Sequence, residues 1–68
     1  MTEHEEQSIR DCVRDACRAH NVQPVADALG LSAEATARLG GGLRVQRGTI
    51  LVARENLNNL DALAKASR

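Results

Sequence analysis

The chain contains no Phe, Tyr or Trp, and that absence constrains its fold more than any other feature of the sequence. A core without aromatic rings has to be assembled from branched aliphatic side chains and alanine. Eleven alanines accompany fifteen Leu, Ile and Val residues in the 68 positions. Alanine is the best helix former and lets helices approach closely, yet it removes little apolar surface from water. The expected outcome is a single thin helical core. A domain of this length buries only about 60% of the surface its unfolded chain exposes, which excludes a large enclosed catalytic cleft and favours help from a partner.

The helices can be placed from periodicity and end signals. Thr2 followed by Glu5 has the spacing of a capping box, and Ile9, Cys12, Val13, Ala16, Cys17 and His20 recur as one apolar stripe. Together they predict a helix over residues 3–20. Arg10, Arg14 and Arg18, interleaved with Asp11 and Asp15, read as its solvated face. Asn21 is expected to end this helix and to cap the next, over about 22–29, where Pro24 falls in the first turn and costs no hydrogen bond. Gly30 marks a tight turn, Leu31 a core plug and Ser32 the N-cap of a third helix. In that helix Ala35 and Leu39 face inward, and Gly40-Gly41-Gly42 stops it. A final helix is expected from Gly48 or Thr49. Ile50, Ala53, Leu57, Leu60 and Ala64 are spaced 3-4-3-4 there, and Leu51, Ala62 and Leu63 widen the stripe. Thr49 to Val52 would suit a strand, but the longer helical period outweighs it. The fold class expected is therefore all-α: one domain over residues 1–68, a compact bundle of four helices, with three to five as the range.

Formal charge is zero, but the sum hides a division. Residues 1–34 carry seven acids and three bases, whereas residues 35–68 carry six bases and two acids. Such asymmetry points to a polyanion-facing side. No apolar run is long enough for a signal peptide or a membrane span, so a cytoplasmic, nucleoid-associated protein is expected. Cys12 and Cys17 point about 140° apart on a helix and are poorly placed to bridge each other. With His20 they give a C-x4-C-x2-H spacing that is not a zinc pattern. Neither a metal site nor a cofactor is expected. No nucleophile has a base and an orienting group, and no P-loop is present, so the chain does not read as an enzyme and no small-molecule substrate is expected.

The segment from Val22 to about Gly41 holds two short helices joined by a Gly-containing turn, which is the plan of a helix-turn-helix unit. Ala26, four residues before Gly30, keeps the two helices close. Thr36, six residues after Gly30, occupies an inward site where a branched apolar residue is usual. On Ala26, Gly30, Leu31 and Leu39, the stretch from Val22 to Leu39 resembles the phage-repressor-like helix-turn-helix family of transcriptional regulators, the Cro and Xre group. The resemblance covers less than a third of the chain. It implies a lambda-repressor-like domain with Gln23 near the phosphate backbone, and Ser32, Ala33, Glu34, Ala37 and Arg38 on or beside the groove-facing side of the second helix. Glu34 can accept from a cytosine amino group, and Arg38 can donate twice to a guanine.

Charge supplies a partly separate reason to expect DNA. Arg44, Gln46, Arg47 and Thr49 follow the second helix in a loop and helix start, where arginine and amide groups commonly position phosphates. The function expected is thus a sequence-specific double-stranded DNA-binding regulator, a small repressor acting in the major groove. Lack of aromatic side chains disfavours base stacking and hence single strands. A second copy of the chain is an expected partner. Leu57, Leu60, Leu63 and Ala64 are the candidate dimer interface; for Ile50, Ala53 and Leu57 the core role is favoured, and for Leu60 and Leu63 both uses remain open. The rival expectation is an adaptor or antirepressor that keeps the helix-turn-helix shape and uses its acidic first helix to bind protein.

Overall fold

Thr2 starts the first helix as its spacing predicts: its Oγ1 accepts from the amide of Glu5 at 3.2 Å. The computed structural model describes residues 2–66, so Arg68, one of the bases of the second half, lies outside the described residues. Helix α1 runs Glu3–His20, α2 Val22–Leu29, α3 Ala33–Gly40, α4 Arg47–Glu55 and α5 Leu57–Ala66, and no strand occurs among the described residues. The Cα radius of gyration is 10.7 Å, against about 11 Å expected for a compact domain of this length, and the longest extent is 33 Å.

The core is aliphatic except at its polar member Thr36 and at the thiol of Cys17 on its edge. Ile9 and Val13 of α1, Val25, Ala26 and Leu29 of α2, Leu39 of α3, Ile50 and Ala53 of α4 and Leu60 of α5 are buried. Ala16, Cys17, Ala28, Leu31, Val45 and Leu57 pack partly against them. Cys12 departs from the expected stripe: it is exposed, because the buried face of α1 narrows to the i, i+4 pair Ile9 and Val13. In α3 the inward position beside Leu39 belongs to Thr36, fully buried, while Ala35 is half-buried.

Two of the junctions differ from expectation. Asn21 does end α1, its amide donating to the Cys17 carbonyl at 2.9 Å, but it makes no side-chain cap on α2. Its φ of 73° lies far from the extended backbone of a capping residue. The expected single last helix is broken at Asn56. The Asn56 amide nitrogen donates to Val52 O at 3.0 Å and to Leu29 O at 3.1 Å, and Asn59 donates to Ala28 O at 2.9 Å. These two side chains occupy carbonyls at the open C-terminal end of α2, where no intrahelical donor exists. The chain bends at Asn56 to bring α5 against α2, so the described residues form five helices.

The triple glycine has two structural uses beyond stopping α3. Gly40 is still helical, and a Cβ there would lie 3.3 Å from the backbone N and Cα of Arg14. Helix α3 therefore approaches α1 backbone to backbone. Gly42 has φ 78°, a left-handed conformation that glycine adopts without steric cost. Arg10 fastens this turn from the other side: its Nη1 donates to Leu39 O at 3.2 Å and Leu43 O at 2.8 Å, with Glu6 3.6 Å from its Nε. The side chain of Arg10 is only 13% exposed, so it is a structural group and not part of a solvated face.

Candidate nucleic-acid interface

Gly30 adopts φ 72° after α2, and the amide of Leu31 closes the turn on Ala26 O at 3.0 Å. Ser32 then caps α3, its Oγ accepting from the amide of Ala35 at 3.1 Å. Ala26 is fully buried, as a close approach of α2 and α3 requires. These local signals hold α3 with Glu34, Ala37 and Arg38 exposed and Ala33 half-buried.

Beside α3 lies an open cleft of about 260 Å³, lined by Ser32, Glu34, Ala35 and Arg38 on one wall and by Arg44, Val45, Gln46 and Thr49 on the other. It brings together six of the ten positions singled out from sequence. The Arg38 Nη2 donates to Glu34 Oε1 at 2.8 Å. Arg44 is exposed and, among the described residues, forms no ion pair. Gln46 is the N-cap residue of α4 and makes no side-chain cap bond, so the first-turn amides of α4 have no capping side chain.

The other four positions lie elsewhere. Arg47 borders a separate hollow with Glu3 and Glu6 and, among the described residues, forms no ion pair with them. Ala37 lines a shallow depression with Arg14, Arg18 and Gly40. Gln23 is exposed on α2 and donates to Asp27 Oδ1 at 3.1 Å, and Ala33 does not border the cleft. Sequence reasoning missed Val45 and Ala35 as parts of the cleft wall. It also missed Arg10, whose carbonyl partners lie 29 and 33 residues away and leave no local signal.

Of the residues considered for dimerisation, Leu60 is buried in the chain's own core and Leu57 packs against it. Leu63 is half-buried and Ala64 exposed. Leu57, Leu60 and Ala64 line a groove of about 500 Å³ between α5 and α1, together with Cys12 and Ala16. Among the described residues no three His, Cys, Asp or Glu side chains converge as a metal set, and no helix is long and apolar enough to cross a membrane. Compared with known proteins, the chain matches no family model, no curated protein and no solved structure.

Proposed function

We propose that this chain is a sequence-specific binder of double-stranded DNA: a lambda-repressor-like regulator in which α2, the Gly30 turn and α3 act as a helix-turn-helix. The observation that supports this reading best is the cleft beside α3. Its α3 wall carries a donor and an acceptor suited to base edges, and the facing loop carries an arginine that forms no ion pair among the described residues, beside a start of α4 that has no side-chain cap. Backbone amides and arginine at a helix start favour a phosphate oxygen, which would orient the protein while α3 meets the bases.

The test is a binding titration on duplex DNA over a range of salt. Between two and four phosphates neutralised per chain would give a log–log slope of about −1.8 to −3.6. Arg44→Glu should weaken binding to all duplexes, and the Arg44→Glu, Arg47→Glu double variant should abolish it with the helical circular dichroism intact. Arg47→Glu alone should cost less, because Glu3 and Glu6 already lie beside that position. Equal affinity of wild type and double variant would end this assignment. Should no duplex bind, the adaptor reading takes precedence, with the acidic first helix as the surface it would use.

A further inference from the structure

Two kinds of arginine border the cleft. Arg44 has no carboxylate partner among the described residues, whereas Arg38 is held by Glu34 at 2.8 Å. An unpaired guanidinium is suited to phosphate. A guanidinium tied to a carboxylate is not, because a phosphate approaching Arg38 also approaches the negative charge of Glu34. The pair has no net charge and presents donors beside an acceptor on one exposed helix face.

On the proposed DNA-binding role, we infer that Glu34 and Arg38 act as one unit that reads a single G·C pair in the major groove. The edge of a G·C pair presents two acceptors on guanine, N7 and O6, followed by the N4 amino donor of cytosine. Arg38 uses one of its five N–H groups on Glu34 and keeps enough donors for a bidentate contact to guanine. Glu34 supplies the acceptor for the cytosine amino group and keeps the guanidinium beside it on the same helix face. An A·T pair offers acceptor, donor, acceptor and methyl in that order, which leaves this donor–acceptor set mismatched. The side chains of the pair are 54% and 74% exposed, so its geometry can adjust to a base edge at little cost.

The test begins with selection from a pool of random-core duplexes by the intact chain, followed by affinity measurements on the selected site. Wild type should select one invariant G·C pair and lose roughly tenfold or more when it becomes A·T. Replacing that guanine by 7-deazaguanine, which lacks the N7 acceptor, should weaken wild type but leave Arg38→Ala unaffected. Glu34→Gln should bind every duplex more tightly, having lost a negative charge, while its preference for the G·C pair falls. Retention of the full preference in both Arg38→Ala and Glu34→Gln, or selection of sites without an invariant G·C pair, overturns the inference and leaves DNA binding standing. Failure of the wild type to retain any duplex at low salt overturns both. Circular dichroism of each variant confirms that a lost preference does not come from lost folding.

Discussion

Thr36 is the residue whose chemistry fits its surroundings least. Its hydroxyl is fully buried and, among the described residues, has no hydrogen-bond partner, and an unsatisfied polar group of this kind costs about 1–3 kcal/mol. Thr36→Val keeps the shape and removes the hydroxyl. It should stabilise the fold by about 1 kcal/mol, raising the melting temperature by several degrees in a domain this small. Circular dichroism is the measurement to use, since the chain has no Tyr or Trp to fluoresce; an unchanged or lower midpoint would show that Oγ1 contributes something the geometry does not reveal. The cysteines provide a second residue-scale check. Burial pushes the Cys17 thiol up from its ordinary range, whereas Cys12 is exposed. A raised thiol pKa means less thiolate at a given pH, so iodoacetamide near pH 8 should modify Cys12 first and Cys17 more slowly. That the inward site six residues after Gly30 holds Thr36 could be read from spacing. That nothing meets its hydroxyl could not, because the neighbouring side chains come from distant parts of the chain.

At the scale of helices, what could be read from the sequence was what short-range chemistry decides. Thr2 and Ser32 are caps that act within three residues, Gly30 is a turn that acts within four, and all three lie where spacing put them. The break at Asn56 had no such local sign, because the carbonyls it meets lie on α2. Asn56→Ala removes the donor to Leu29 O and returns that carbonyl to an unpartnered helix end; it should cost about 1–2 kcal/mol in urea unfolding. Gly40→Ala is the sharper test of helix packing. The added Cβ would meet the backbone of Arg14, which cannot swing aside as a side chain can, and a loss of about 1–3 kcal/mol is expected. Gly48→Ala, at a helical site with open space around it, is the matched control and should not destabilise.

For the molecule as a whole, folding partly reconciles the acidic first half with the basic second. Arg54 reaches Glu5 at 3.6 Å across α4 and α1, and Arg47 lies beside Glu3 and Glu6. The charge division in the sequence therefore overstates the cationic surface in part, and among the described residues Arg44 at the cleft forms no ion pair, nor does Arg47. Linear charge counting could not distinguish the two cases. Size sets a further bound. With a longest dimension of 33 Å, one copy can lie along about one turn of duplex, so protection beyond roughly 10 base pairs would report two copies side by side. The attachment of α5 bears on how such a molecule opens. Among the described residues it contributes Leu60 to the buried core, with Leu57 at the edge, and the side-chain amides of Asn56 and Asn59 tie its start to α2. With one buried side chain among its described residues, α5 should exchange its amides before those of α1 and α3, which hydrogen exchange can measure. Release of α5 would bare the carbonyl end of α2 while leaving α3 seated on α1, so the surface proposed to meet DNA can outlast that opening.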